Sequence, residues 1–158
     1  MKSRNLCGFA ACAAYAAVLG VLSFVLGRVV PKGIFHSDRF PFKTSAREAR
    51  LYDALRVKSW QNKLPDMSRL FKKLMPEKRM TAASLADLPR MLEETCVAEA
   101  THVVLSVCGL AMPLLWPSVG GVAFAAVYIL LGNVPYVIIQ RYNRPRLQRL
   151  YNKRKGKT

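Results

Sequence analysis

The chain has 158 residues, of which 52% are hydrophobic, and its 25 Lys and Arg residues against 9 Asp and Glu residues give a formal charge of +16. So much apolar content beside so large a charge is unusual for a soluble domain and typical of a small membrane protein with its charges on one side. Nucleic-acid binding is the rival explanation of the basic excess. The apolar runs have membrane length, however, so we expect no nucleic-acid partner.

Three apolar runs define the predicted membrane segments. The first, 6–27, holds 22 residues without a charge and is about 33 Å long as a helix. The second, 100–116, is shorter, but its helix can begin near Leu88, and the third spans 119–139. A run of about 20 apolar residues crosses the hydrocarbon core of a bilayer. The predicted fold class is therefore an all-α membrane protein with about three transmembrane helices.

The first run also resembles a secretory signal, because Lys2 and Arg4 precede its apolar stretch. The run is longer than a typical signal core, and its end at Arg28 lacks a clear small-x-small cleavage site before Pro31. We therefore interpret residues 1–30 as a retained transmembrane anchor.

Basic residues are distributed unevenly between the predicted segments. Residues 31–99 carry 14 Lys and Arg residues and the chain after Ile139 carries 8, whereas the turn at 117–121 carries none. Because Lys and Arg mark the cytoplasmic side, the middle segment and the C-terminus are predicted to be cytoplasmic in a bacterial plasma membrane.

The segment 31–87 is predicted to form a helical layer at the cytoplasmic interface. Ser45 and Glu48 have the spacing of a capping box, which begins a helix near Ala46. After Asp66, apolar residues repeat at helical spacing among Lys and Arg residues, a pattern typical of an amphipathic helix that lies among lipid headgroups. Packing of this helix on its own domain is the alternative.

The segment 88–144 is predicted to be a transmembrane hairpin that carries the functional site. Asp87 is expected to cap its first helix. Pro145 is expected to end its last helix, because the residue before proline disfavours helical geometry. Residues 145–158 then form a basic cytoplasmic tail.

Two polar clusters fall on this hairpin. Glu99 and His102 are three residues apart and share a helix face with Ser106 and Gly109, and small residues on such a face indicate packing against another helix. Ionisable groups at a membrane boundary are costly, so they usually have a partner or a function. The matching face of the last helix carries Asn133, Gln140 and Arg144. We predict that the two faces meet around a polar pocket.

Three stretches of the chain carry a family resemblance. They are Lys58-x-Trp60 followed by Leu64-Pro65, then Glu94-Thr-Cys-x-x-Glu99-x-x-His102, then Asn133-x-Pro135 with Gln140-Arg-Tyr-Asn-Arg-Pro-Arg-Leu147. Over residues 50–150 the chain resembles the glycosyl-4,4′-diaponeurosporenoate acyltransferase family of small bacterial membrane proteins. The resemblance implies O-acylation of a sugar hydroxyl on a lipid-like glycoside, the final step of staphyloxanthin-type carotenoid synthesis.

Acyl transfer to a hydroxyl needs a base, donors for the oxyanion and a held acyl chain. His102 is the expected base, because imidazole titrates near neutral pH, and Glu99 is expected to orient it. Substrate contacts are expected from the following residues: Trp60, Asn133, Gln140, Arg141, Asn143, Arg144 and Arg146. The expected acyl donor is a phosphate-bearing co-substrate, acyl-CoA, which docks on Arg141, Arg144 and Arg146.

No metal and no resident cofactor are expected, since the four cysteines have no zinc-site spacing and the chain has no Gly-rich nucleotide loop. No GxSxG motif supplies a nucleophile, so direct transfer without an acyl-enzyme is the simpler route. Membrane lipids, the glycoside acceptor and the acyl donor are the expected partners. The oligomeric state stays open.

Other interpretations of the same residues remain. Glu99 and His102 can simply pair with an arginine and hold helices together, and Trp60 can be an interfacial or core aromatic. The segment 140–144 can be an interfacial anchor. The whole chain can be a non-catalytic membrane subunit or scaffold that binds anionic lipid. Another lipid-modifying transfer, such as methyl or prenyl chemistry, is a third possibility.

The predicted topology is testable by labelling single cysteines in a variant without native cysteines. A membrane-impermeant thiol reagent added outside intact cells should label Val119→Cys and should not label Gly156→Cys. Labelling of position 156 from outside would reverse the assignment, because the basic residues would then lie outside.

Overall fold

The fold is an assembly of helices, described by a computed structural model that covers residues 2–64 and 87–156. Its helices, labelled in chain order, are α1 (Lys2–Val29), α2 (Ala46–Ala54), α3 (Val57–Trp60), α4 (Leu88–Gly109), α5 (Met112–Leu115), α6 (Val119–Leu130) and α7 (Val134–Lys155). Single-turn 3₁₀ helices lie at Lys32–Ile34 and Gln61–Lys63. The amphipathic helix predicted after Asp66 falls outside the described residues.

Among the described residues, three stretches are long and apolar enough to cross a membrane, namely Ser3–Val29, Leu88–Leu115 and Val119–Lys155. Large apolar side chains along them stay exposed, among them Val104, Leu114 and Val119. Apolar surface left open in this way is typical of a face that contacts lipid. The predicted class, an all-α protein with three such segments, is confirmed.

Helix α1 packs on the hairpin through a small buried cluster. Cys12, Met112 and Ala125 form its centre, and Tyr15 and Trp116 pack around them. The Tyr15 hydroxyl also donates to the carbonyl of Cys108 at 3.2 Å. Helix α1 is thereby fixed against α4, α5 and α6.

Gly109 sets how closely α4 and α6 approach. A Cβ atom at Gly109 would lie 2.8 Å from the ring of Tyr128, closer than real Cβ contacts allow. The prediction that the face carrying Ser106 and Gly109 packs against another helix is therefore confirmed.

The last apolar run is two helices rather than one. Helix α6 ends at Leu130 and α7 begins at Val134, with Asn133 at the cap position and buried. Pro135 lies in the first turn of α7, where a missing N–H leaves no hydrogen bond unmade. The break between the two helices therefore precedes Pro135.

The capping box at Ser45 and Glu48 is confirmed, since each side chain bonds the backbone N–H of the other residue. Asp87 stands at the cap position of α4, but its side chain makes no capping hydrogen bond, so its predicted capping role is wrong. Helix α4 instead begins with Pro89 in its first turn, a position that suits proline.

Pro145 does not end the last helix, because α7 runs through it to Lys155. A proline inside a helix leaves the carbonyl four residues earlier without its N–H donor. Here that carbonyl belongs to Arg141, and the hydroxyl of Thr44 donates to it at 3.3 Å. A side chain from a distant loop therefore replaces the missing backbone bond and allows the helix to continue.

Because the Thr44 hydroxyl replaces the N–H that Pro145 lacks, changes at Thr44 and Pro145 should have coupled effects on stability. Thr44→Val should lower the free energy of unfolding by about 1 kcal/mol, the usual value of one hydrogen bond. In a Pro145→Ala background the new N–H can bond the Arg141 carbonyl, so the same change should cost almost nothing. Thermal unfolding in detergent measures both.

Thr101→Val is the matched control for this cycle, because the Thr101 hydroxyl bonds only the nearby carbonyl of Val97. Its effect should be equal in both backgrounds. An equal loss from Thr44→Val in both backgrounds would contradict the replacement of the missing bond by Thr44.

Candidate functional site

Glu99 is a buried carboxylate held by two arginines. Its side chain on α4 is 6% exposed. The Arg141 Nη1 atom donates to Oε1 at 2.5 Å, and Arg144 Nη2 lies 2.6 Å from Oε2. The second contact is an ion pair without the angles of a hydrogen bond. Because a charge taken out of water needs a close partner, the two guanidinium groups together make the burial of Glu99 possible.

Arg144 is more buried than its partner, with 2% of its side chain exposed. Its Nε atom donates to the hydroxyl of Thr95 at 2.9 Å, and Nη2 donates to the Thr95 carbonyl at 3.1 Å. Its Nη1 atom donates to the carbonyl of Phe42 at 2.5 Å. Every nitrogen of the guanidinium group therefore has a protein partner, so Arg144 joins α4, α7 and the loop before α2.

Arg141 extends the network to α2. Its Nε atom donates to Glu48 Oε1 at 3.0 Å, and Nη1 also donates to the carbonyl of Pro41 at 3.1 Å. Partial burial alone would raise the pKa of Glu48. The backbone hydrogen bond from Ser45 and the charge of Arg141 outweigh that effect and hold the pKa below its usual value. We call Glu48, Glu99, Arg141 and Arg144 the arginine cluster.

His102 is bonded to Asn133 rather than to Glu99. The His102 Nδ1 and Asn133 Oδ1 atoms are 3.0 Å apart, and Asn133 Nδ2 donates to the carbonyl of Tyr128 at 2.9 Å. Because Nδ2 must face that carbonyl, Oδ1 must face His102 and accept its Nδ1–H. In neutral His102 the lone pair is then on Nε2, which has no hydrogen-bond partner within residues 2–64 and 87–156.

Tyr136 holds the other side of the imidazole. The rings of His102 and Tyr136 are stacked, with centroids 4.8 Å apart and planes 11° apart. His102 itself is half-buried, one helical turn beyond Glu99. The imidazole is therefore fixed in position and tautomer while one ring nitrogen stays free.

The predicted site residues fall into separate groups. The structure brings Glu99 to Arg141 and Arg144, and it brings His102 to Asn133. Gln140 and Asn143 are half-buried on α7. Trp60 packs on a hydrophobic cluster of Tyr52, Val57 and Tyr142, and its Nε1–H donates to the Leu55 carbonyl at 3.1 Å.

Arg146 lies outside the arginine cluster. Its guanidinium stacks 3.5 Å above the ring of Tyr142 and stays 45% exposed. Of the three arginines expected to dock a phosphate donor, Arg141 and Arg144 are instead neutralised by carboxylates inside the protein. Arg146 alone of these three presents its charge to solvent.

Several residues of these networks were not predicted from the sequence. Glu48 was recognised only as part of a capping box, although its carboxylate also pairs with Arg141. Thr95 lies one turn before Glu99 on the same face. This spacing could have predicted its contact with Arg144, the arginine that also pairs with Glu99. The carbonyls of Pro41 and Phe42 carry no indication in the sequence, since any residue has a carbonyl.

Comparison with known proteins gives a consistent family assignment. A family profile described as glycosyl-4,4′-diaponeurosporenoate acyltransferase matches residues 31–153. Two relatives with that name, from Staphylococcus aureus strains MRSA252 and Newman, are each 26% identical to this chain, over 92% of it and 90% of their own length. No solved structure matches the chain.

The arginine cluster predicts unequal costs for removing its two carboxylates. Glu99→Gln leaves Arg144 buried without a counter-charge and should lower the free energy of unfolding by about 3–5 kcal/mol. Glu48→Gln should cost about 1 kcal/mol or less, because exposed ion pairs contribute little and 30% of the Glu48 side chain is exposed. Denaturant unfolding in detergent compares the two. Equal losses would show that Glu99 is not the centre of the network.

Proposed function

The chain belongs to the glycosyl-4,4′-diaponeurosporenoate acyltransferase family, and from this we propose that it transfers a fatty acyl group to a sugar hydroxyl of a lipid-like glycoside. A glycosylated carotenoid acid, the acceptor named in the relatives, is the proposed example. The three long apolar stretches in the described part of the chain support a reaction within a membrane, because the acceptor and the acyl chain are both apolar over most of their length.

We propose that His102 is the general base. Its Nε2 atom takes the proton of the sugar hydroxyl as the hydroxyl oxygen attacks the thioester carbonyl carbon of the donor. The C–S bond then breaks, and the proton passes from His102 to the leaving thiolate. Ser106 is not needed as a nucleophile, and its hydroxyl donates to the carbonyl of His102 at 2.8 Å.

The observation that carries this proposal is the hydrogen-bonded chain from the Tyr128 carbonyl through Asn133 to His102. It fixes the amide of Asn133, the amide fixes the tautomer, and the tautomer leaves Nε2 as the basic nitrogen. An oriented imidazole is the arrangement that proton transfer requires, and the orienting group here is an amide. Asn133 is thus a positioning residue in this mechanism.

Glu99 is proposed as a second positioning residue, acting through the arginine cluster. By binding Arg141 and Arg144 it fixes α4 against α7, and His102 lies about 4.5 Å further along α4. The donors of Arg144 are used within the protein. Gln140 follows Tyr136 by one turn of α7, and we propose its amide as a donor to the oxyanion or to the sugar.

The proposed base predicts a large loss of turnover in one variant. His102→Ala should lower the rate of acyl transfer by about 10²–10⁴-fold, the usual contribution of a general base. The assay uses purified protein in lipid nanodiscs with an acyl-CoA and a glycosylated carotenoid acid, and mass spectrometry detects the acylated product. His36→Ala, which changes the only other histidine, is the matched control and should keep full activity.

Asn133 variants separate positioning from simple structural support. Asn133→Asp keeps an acceptor for the Nδ1–H and should retain more activity than Asn133→Leu. Its carboxylate also stabilises the charged imidazolium, so the acid limb of its pH–rate profile should move to higher pH. Full activity in His102→Ala would reject the base and favour a non-catalytic subunit that binds anionic lipid.

A further inference from the structure

A basic groove lies between α7 and the segment that holds α2 and α3, and the mechanism above does not use it. It has a volume of about 520 Å³ and opens between the α2–α3 segment and α7. Its cations come from Arg56, Lys58 and Arg146, while Tyr142 lines the α7 side and Asp53 supplies one carboxylate. Three positive charges against one negative charge favour an anionic ligand in the groove.

The charges of this groove are available, unlike those of the arginine cluster. Arg56 and Lys58 are exposed, and neither forms an ion pair within residues 2–64 and 87–156. Arg146 lies 3.8 Å from Asp53, but that carboxylate is 70% exposed, and such pairs are weak in water. An incoming phosphate therefore meets cations that no buried carboxylate has neutralised.

The backbone of Arg56 points to a role for its side chain. Its φ of 51° and ψ of 40° are left-handed, a conformation that glycine adopts readily and other L-residues rarely adopt. Glycine would suit this turn better, so the backbone gives no reason for arginine at position 56. That side chain faces the groove.

A second, smaller depression adjoins the groove along α7. This depression shares Tyr142 and Arg146 with the groove and reaches Arg141, which contacts Glu99. Arg146 and Asn133 are 13 residues apart, a distance of about 20 Å along a helix. A donor with phosphates at one end and a thioester at the other can therefore place one end in the groove and the other near His102.

We propose that this groove binds the phosphate groups of the acyl donor and that the donor is an acyl-coenzyme A. The inference rests on the proposed acyl transfer, and it moves the phosphate site from Arg141 and Arg144 to Arg56, Lys58 and Arg146. Arginine suits this ligand, because its planar fork of N–H groups matches phosphate oxygens.

The test is equilibrium binding of coenzyme A, without an acyl group, to the purified full-length protein in neutral detergent. Arg56→Gly, Lys58→Gln and Arg146→Gln should each weaken binding about threefold, and the triple variant about 10- to 30-fold. Arg50→Gln, an exposed arginine of α2 outside the groove, is the matched control and should bind like the wild type. Arg56→Gly should unfold at the same or a higher temperature, because it relieves the left-handed turn.

Two further measurements distinguish this proposal from the proposed base and from binding of a lipid headgroup. His102→Ala should bind coenzyme A as the wild type does. Failure of the proposed base would therefore appear in acyl transfer, whereas failure of the proposed groove would appear in coenzyme A binding. Nanodiscs of phosphatidylcholine with and without phosphatidylglycerol test a lipid headgroup as the phosphate source. No coenzyme A binding by the wild type would overturn the proposal. So would groove variants that bind coenzyme A like Arg50→Gln, or that lose affinity for phosphatidylglycerol alone.

Discussion

The need to neutralise one buried carboxylate organises the described part of this protein. Glu99 is nearly inaccessible to solvent, and both cations that accompany it come from α7. Leaving either partner alone would bury an uncompensated charge at high cost. The pairing therefore specifies how α4 and α7 meet. Through Arg141 and Glu48 it also fixes α2, and through Arg144 and the Phe42 carbonyl it fixes the loop before α2.

The environment of His102 follows from this arrangement and from the break before α7. Irregular backbone between helices is tolerated where protein groups satisfy its polar atoms. At this break the Tyr128 carbonyl accepts from the Gly132 N–H at 3.1 Å and also from the Asn133 side chain, and the same amide accepts from His102. Asn133 thus lies in the break between two helices and orients the imidazole. The fold and the proposed chemistry depend on the same hydrogen bonds.

Local features of this structure were predictable from the sequence, whereas contacts between residues far apart in the chain were not. The lengths of the apolar runs, the capping box at Ser45 and the small face at Gly109 follow from helical spacing alone. The partner of Glu99 did not, because His102 and two arginines were all chemically suitable and only the packing of α7 decides among them. The role of Asn133 also needed the break before α7, which places its amide beside α4.

The end of the last helix was wrongly predicted at Pro145 for the same reason, since it also depends on a contact between residues far apart in the chain. Proline normally stops a helix because a carbonyl loses its donor, and the sequence near Pro145 holds no substitute. The substitute is Thr44, which lies 97 residues before Arg141 in the chain. A side chain so far away in sequence cannot be assigned to one carbonyl without the tertiary structure.

The central claim is that Asn133 holds His102 with its proton on Nδ1 and its lone pair on Nε2. The chain has two histidines, so His36→Gln leaves His102 as the only imidazole for ¹⁵N nuclear magnetic resonance in nanodiscs. At a pH where the ring is neutral, Nδ1 should carry the proton and Nε2 should not, and Asn133→Leu should abolish this preference. A proton on Nε2 in the protein with Asn133 intact would contradict the account.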